Sequence, residues 1–185
     1  VFPAKTMIAA AMNPCKCGFF PDLGKCRCTP TQIRRYLNRV SGPFLDRIDI
    51  GVEVPRQDLG MMAAEKSIDE GSFPQTEQRN SSAVMRARVM EARARQEKRF
   101  ADESISYNSQ MTRCQIEEYC RLSGEDAVFL EKVERQQGIS ARGHGKILKV
   151  ARTLADLDGQ AEIGRTQLAE AIGFRSFEKK YWGSL

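Results

Sequence analysis

The chain has 185 residues, 41% of them hydrophobic and 29% charged, with a formal net charge of +5. That balance is the one expected of a soluble globular protein of one ordinary or two small domains, and no apolar run nears the ~20 residues a membrane-spanning helix needs. Six cysteines, four of them clustered, suit a reducing cytoplasm better than a secreted disulfide scaffold.

The chain opens on Val1-Phe2-Pro3, with neither an initiator Met nor a signal-peptide pattern, and is read as an excised piece or the interior of a longer protein. Lys5 to Met12 is an apolar run without helical period, expected as a strand buried on both faces. It ends at Asn13, which Pro14 holds out of the helical region. An amide there either points into the ligand crevice of an open α/β sheet or caps a turn.

Four cysteines follow as two Cys-x-Cys pairs separated by eight residues: Cys15, Cys17, Cys26 and Cys28. Two thiolate pairs facing each other suit a tetrahedral Zn²⁺, with Zn–S near ~2.3 Å. Two disulfides or four free thiols are the alternatives, and the first needs an oxidising compartment. The positive excess gathers in the same region. Residues 1–56 hold nine Lys/Arg against four Asp/Glu, whereas the remainder holds twenty of each. Lys16, Lys25, Arg27, Arg34 and Arg35 are therefore candidates for phosphate or nucleic-acid contact, against the blander reading of a solvated basic face.

Thr29-Pro30-Thr31-Gln32 reads as a helix start, with an N-cap, a proline at the first position and a capping box. Ile33, Tyr36, Leu37 and Val40 then give one apolar face, and Ser41-Gly42-Pro43 ends the helix. A turn or short helix over Pro43–Arg47 leads to Ile48, Ile50, Val52 and Val54, whose alternation predicts a second strand closed by Pro55. Residues 57–80 have no clear period and are read as a linker, with one turn of helix expected around Leu59 to Lys66.

Residues 81–175 read as helical throughout. Ser82 caps a helix with Met85, Val89, Ala92 and Gln96 on one face and Phe100 near its end. Arg88, Arg95 and Arg99 lie on another face, a nucleic-acid stripe or a salt-laced exposed one, with Glu91 placed to pair with Arg95. Thr112 and Gln115 offer a second capping box, leading Ile116 and Tyr119 inward. Cys114 and Cys120 are expected as small buried residues. Val128, Leu130 and Val133 are the apolar contacts of a helix starting at Ser123. Ser140 opens the longest helix, with Ile147, Leu148, Val150, Ala151, Leu154 and Ala155 as its stripe. His144, the only histidine, has no acid or thiol beside it in sequence. Thr166 to Gly173 makes a last helix, and the tail 176–185 is unassigned.

There is no G-x-x-x-x-G-K-[ST] loop, no G-x-G-x-x-G and no Ser/His/Asp set. From the residues alone, residues 1–56 are a zinc-bearing α/β piece joined to an all-α domain. Three stretches carry a resemblance: Ala9 to Cys15 with the second cysteine pair, Ser41 to Asp49, and Ser140-Ala141-Arg142 followed by Lys149 to Leu157. In this order they resemble the magnesium chelatase-like AAA+ ATPases of the ComM/YifB type, over residues 1 to about 175. The resemblance implies the later part of a P-loop core followed by a helical lid, within a protein that binds ATP and Mg²⁺ through segments absent from this chain.

By that resemblance Asn13 is the sensor-1 residue, Arg47 the arginine finger and Arg142 the sensor-2 arginine. It implies a cytoplasmic homo-oligomeric ring, a hexamer, acting as a helicase or branch-migration motor on DNA. A metal-chelatase or protein-remodelling subunit is the alternative. Without a Walker A loop this chain alone is expected to be inactive toward ATP. Where the family carries bulky residues after Arg142, this chain has Gly143-His144-Gly145, which predicts a loosened first turn.

Overall fold

A computed structural model describes residues 6–54 and 81–183. Lys5 and the expected linker, with its turn near Leu59, lie outside them. Contacts divide the chain into two compact units, residues 1–47 with 177–185, and residues 48–176.

Among the described residues of the second unit, every helix starts where a short polar side chain precedes an apolar period, except the last. Helix α3 (Ser82–Arg99) is capped by Ser81, whose hydroxyl accepts the Val84 N–H. A 3-10 turn at Asn108–Gln110 precedes α4 (Arg113–Tyr119), which carries the Thr112/Gln115 capping box that the spacing predicts. Ser123 caps α5 (Gly124–Gln137) and Ser140 caps α6 (Ala141–Leu157). Helix α7 (Arg165–Gly173) follows Gly164 without a side-chain cap. Helix α6 is the hub, touching α3, α4, α7 and the 3-10 turn. Its Ile147, Leu148, Ala151 and Ala155 meet Phe100, Met111, Leu130 and Leu168 in one core.

A polar network sits at the end of that core. Asp156 is 0% exposed, and both its carboxylate oxygens accept from the Arg99 guanidinium. Asn108 Nδ2 donates to Asp156 Oδ2 at 2.8 Å, and Arg152 lies 3.2 Å from Asp156 Oδ1. Arg95 donates to the Asp156 carbonyl at 2.9 Å. The C-terminal turns of α3 and α6 are thus fixed to each other and to the 3-10 turn. Arg88, Arg95 and Arg99 have acidic partners, as the salt-laced reading of that face expects. They meet Asp158, Glu91 and Asp156, and only the Glu91 pairing is the one the sequence spacing anticipates.

Several expectations are corrected by burial. Met85 and Val89 are exposed, so only the second half of the α3 face (Ala92, Gln96, Phe100) is covered. Val128 is exposed while Phe129 packs on the core beside Leu130 and Val133. Cys120 is buried, but Cys114 faces solvent from the first turn of α4. The first turn of α6 is not loosened. Gly143 is buried, donates its N–H to Ser140 Oγ, and sits so near Ile139 that a Cβ would lie 2.7 Å from Ile139 Cγ2. Glycine there is a packing requirement, and its helix-propensity cost of about 1 kcal/mol is offset by close approach.

The first unit contains α1 (Pro30–Leu37), α2 (Gly42–Leu45) and α8 (Ser176–Trp182) from Phe177 onward. Helix α1 shows the full predicted start, with Thr29 and Gln32 exchanging hydrogen bonds, and it ends at Leu37, short of Val40.

Neither expected strand forms among the described residues. Residues 6–12 and 48–54 run without regular structure, with Met7 94% and Val54 87% exposed. A strand exists only as one side of a hydrogen-bonded ladder. Here Gly51 N–H bonds to the Phe174 carbonyl, and the Ile48 carbonyl accepts from Arg175, so these groups are taken up by the end of α7. The described structure is helix and irregular chain, and the α/β reading is corrected to that extent.

The Asp156 network makes a stability prediction. Burial pushes the Asp156 carboxyl up, but hydrogen bonds from Arg99 and Asn108 and the nearby arginine charges outweigh it and hold the group below the usual range. A depressed carboxylate stabilises fully above its unfolded value of ~3.9 and loses that contribution as pH falls through the folded value. Asp156→Ala is expected to lower stability at pH 7 by about 3–5 kcal/mol, because it strands buried cations. The difference should shrink below about pH 4. Urea denaturation at the two pH values measures it, and a loss under ~1 kcal/mol at pH 7 would contradict the network's role.

Candidate metal centre

The cysteine loop is built from consecutive tight turns. Gly18 N–H bonds back to the Cys15 carbonyl at 3.1 Å, closing Cys15-Lys16-Cys17 into a knuckle. Gly18 has φ 77°, the left-handed region where a side chain costs roughly 1–2 kcal/mol. Asp22 then reverses the chain. Its N–H reaches the Phe19 carbonyl, its carboxylate accepts the Gly24 N–H, and its carbonyl accepts from Lys25 and Cys26. This folding of the eight-residue interval returns Cys26 to the first pair.

The sulfurs converge. Cys15 Sγ lies 3.3 Å from Cys17 Sγ and 3.8 Å from Cys26 Sγ, with Cys17 and Cys26 3.5 Å apart. All four sulfurs, including that of Cys28, fall within 4.8 Å of one another. A tetrahedral ion with ~2.3 Å bonds to sulfur spaces its ligands about 3.8 Å apart. Disulfide sulfurs sit at ~2.05 Å, and all six cysteines are free. Of the readings open from sequence, the geometry fits metal ligation and not two disulfides.

Electrostatics point the same way. The Phe19 N–H aims at the Cys17 sulfur and, with the Arg27 N–H, overcomes burial to lower that thiol to about 6. The Cys28 N–H favours the Cys26 thiolate, but burial and the neighbouring Cys17 and Cys15 sulfurs push Cys26 to about 11. One thiolate forms easily and its neighbours then resist ionising, as coupled sites do. A cation at the centre removes that repulsion and displaces the remaining protons. Burial pushes the lone Cys120 thiol up to about 11, the behaviour of an inert core cysteine.

Cys15 is fully buried against Ile33 and Leu37 of α1, whereas Cys17, Cys26 and Cys28 are half-buried. A hollow of about 490 Å³ opens beside Cys17, lined by Phe19, Gly24, Lys25 and Arg27. Lys16, Lys25, Arg27, Arg34 and Arg35 are all exposed, and Lys25 makes only a 3.9 Å pair with Asp22. Two of the basic candidates thus share one depression with a candidate metal ligand and an aromatic ring.

The other candidate residues lie apart from this centre. Asn13 is exposed at the end of the irregular segment 6–12. Arg47 is exposed and donates to the Pro43 carbonyl at 2.6 Å, across α2. Neither Asp46 nor Asp49 forms an ion pair with it among the described residues, and Asp49 pairs with Lys146 at 3.0 Å. Arg142 is exposed in the first turn of α6, in the helical unit, whereas Asn13 and Arg47 belong to the first unit.

Sequence reasoning missed two arrangements. His144 does have an acid partner, Glu134 Oε1 at 2.7 Å, brought from α5 by tertiary packing. The tail forms α8, with Tyr181 and Trp182 against the cysteine loop. The aromatic density of Phe177, Tyr181 and Trp182 was the available signal.

Two family models match the chain. Magnesium chelatase, subunit ChlI, covers residues 1–62, and magnesium chelatase, subunit ChlI C-terminal, covers residues 79–175. Competence protein ComM of Haemophilus influenzae is 41% identical over 176 residues, 95% of this chain and 31% of that protein. The uncharacterized protein YifB of Escherichia coli is 39% identical over 178 residues, 96% of this chain and 32% of its own length. An uncharacterized protein of Mycobacterium tuberculosis is 30% identical over 174 residues. The chain spans about a third of the length of these relatives.

The sulfur geometry predicts one thiophilic metal ion per chain. Elemental analysis should find about one equivalent in the purified protein. Cys26→Ser should lose the ion and Cys114→Ser should keep it. Full metal retention in Cys26→Ser would refute the site.

Proposed function

This chain belongs to the magnesium chelatase ChlI family, and on that premise we propose that it is the C-terminal part of an ATP-driven AAA+ motor that acts on DNA. The observation that carries the DNA half is the basic rim on the cysteine loop. Lys16, Lys25 and Arg27 lie within or beside ligand pairs, so a bound ion holds them in place. Cations fixed in this way lose little conformational entropy when they meet a phosphate backbone. The resident ion on this reading is Zn²⁺, which four thiolates suit and which carries no redox chemistry of its own. It is structural here: with all four positions taken by sulfur, none is open to a substrate.

ATP and Mg²⁺ bind through the rest of the longer protein, and this chain contributes three groups. Asn13 orients the attacking water as a sensor-1 residue, and Arg142 reaches the γ-phosphate as a sensor-2 residue. Arg47 acts in a neighbouring subunit's site. Its exposure, and its contact with a carbonyl instead of a carboxylate, support that role, because an unneutralised guanidinium is what a finger must deliver. The assembly is a cytoplasmic homo-oligomeric ring, a hexamer, of the helicase or branch-migration type. Among the described residues no helix is long and apolar enough to cross a membrane. A relative named as a competence protein supports a DNA substrate over the chelatase or remodelling reading that the family description suggests.

Two experiments test this on the full-length protein. DNA titrated at several salt concentrations should bind with little sequence preference, each phosphate contact adding a slope of about −0.7 to −0.9. Lys16/Lys25/Arg27→Ala should weaken binding and flatten the slope, and an unchanged slope would place the DNA contacts elsewhere. Arg47→Ala should reduce ATP turnover by about 10³–10⁵ with nucleotide binding retained. Mixed rings of Arg47→Ala and a Walker A variant should recover activity, and none recovered would contradict the finger.

A further inference from the structure

The residues after 175, where the family match ends, carry none of the roles proposed for this chain. They nevertheless hold the chain's single tryptophan. From Phe177 onward α8 belongs to the cysteine unit and not to the helical unit that precedes it in sequence. Tyr181 and Trp182 pack on the cluster of Cys15, Ile33 and Leu37. Phe20, inside the interval between the cysteine pairs, meets Tyr181 edge-on with centroids 6.1 Å apart. Trp182 Nε1 donates at 3.1 Å to the Leu37 carbonyl at the C-terminal end of α1, which also accepts the Val40 N–H. Phe177 and Tyr181 both stand edge-on to the indole, at 6.3 and 6.2 Å.

We infer that α8 is an aromatic clasp on the cysteine loop, so that docking of the C-terminal helix and retention of the metal are linked. This rests on the four-sulfur metal site proposed above. Two of the clasp's contacts, Phe20 and the Leu37 carbonyl, are placed by the loop and the helix that the ligands anchor. In the other direction, α8 supplies two of the aromatic side chains around the cluster that contains Cys15 Sγ, the most buried ligand. An apolar shell around a metal controls the access of water and competing ligands. Linkage between two binding events is reciprocal: metal tightens docking by the factor by which docking tightens metal. The clasp also gives the tail a purpose independent of the lid. The helical unit leaves the first unit at Ile48 and returns the chain to it at Phe177.

The zinc-loaded 185-residue chain tests both directions. Transfer of zinc to a chromophoric chelator should be about tenfold or more faster from Tyr181→Ala/Trp182→Ala, and from a chain ending at Arg175. Trp182→Phe, which keeps a ring but loses the indole donor, should fall between. Far-UV circular dichroism should be unchanged in the two substituted chains, and in the shortened chain should fall by no more than the loss of α8 itself. In the parent chain, chelation should shift Trp182 emission to the red and open it to iodide quenching. Equal release rates, or an indole equally shielded with and without zinc, would overturn the clasp and leave the metal site standing. A parent chain that takes up no zinc overturns the site, and the clasp with it.

Discussion

Four sulfurs within 4.8 Å of one another are the constraint on which the first unit depends. The loop carrying them has turn hydrogen bonds but no helix or strand until Pro30. Its buried apolar cluster is Cys15, Ile33 and Leu37, with a few half-buried neighbours. Burial of such side chains contributes about 1.5–3 kcal/mol each, while ordering the backbone costs about 1–2 kcal/mol per residue. Apolar burial therefore falls short, and small folds of this kind use a metal or disulfides. Structural zinc binding contributes on the order of 10–16 kcal/mol of folding free energy in zinc-finger peptides, so an ion held by these four sulfurs would act in the direction that apolar burial leaves short. The same ligation that fixes the fold would fix Lys16, Lys25 and Arg27, so stability and the basic surface share one origin.

The helical unit needs no such device. Helix α6 reaches three other helices and the 3-10 turn, and its apolar stripe is covered along its length. Asp156, Arg99, Arg152 and Asn108 form a buried polar network, costly to desolvate and costly to break. Such a network disfavours slippage of α3 along α6, because any other register strands a charge. Register matters if Arg142, in the first turn of α6, is to sit in a defined place.

What was legible in the sequence was mostly local. Thr29 with Gln32 and Thr112 with Gln115 marked helix starts because a capping box is satisfied within four residues. The cysteine spacing announced a loop that brings four sulfurs together, because the cysteines themselves are the signal. Legibility ended where partners come from far away. Residues 6–12 and 48–54 have strand composition, yet composition cannot supply a neighbouring strand, and the groups of Ile48 and Gly51 pair with the end of α7 instead. Phe129 takes the core contact expected of Val128 because one residue of rotation on α5 moves a side chain by about 100°. Gly143 looked like a weakness, and only Ile139 beside it shows why a larger residue would clash. Tyr181 and Trp182 gave no period to read, since their partners, Phe20 and Leu37, lie far back in the chain.

Taken together, the chain pairs a self-sufficient helical unit with a loop unit organised around its thiolates, and the functional proposals for Asn13, Arg47 and the basic rim all depend on the second. X-ray absorption at the zinc edge of the purified full-length protein tests that dependence most directly. The account predicts four sulfur scatterers near ~2.3 Å and no nitrogen or oxygen in the first coordination sphere. A mixed sulfur and nitrogen or oxygen shell, or a protein without zinc whose cysteine loop is nonetheless folded, would contradict it.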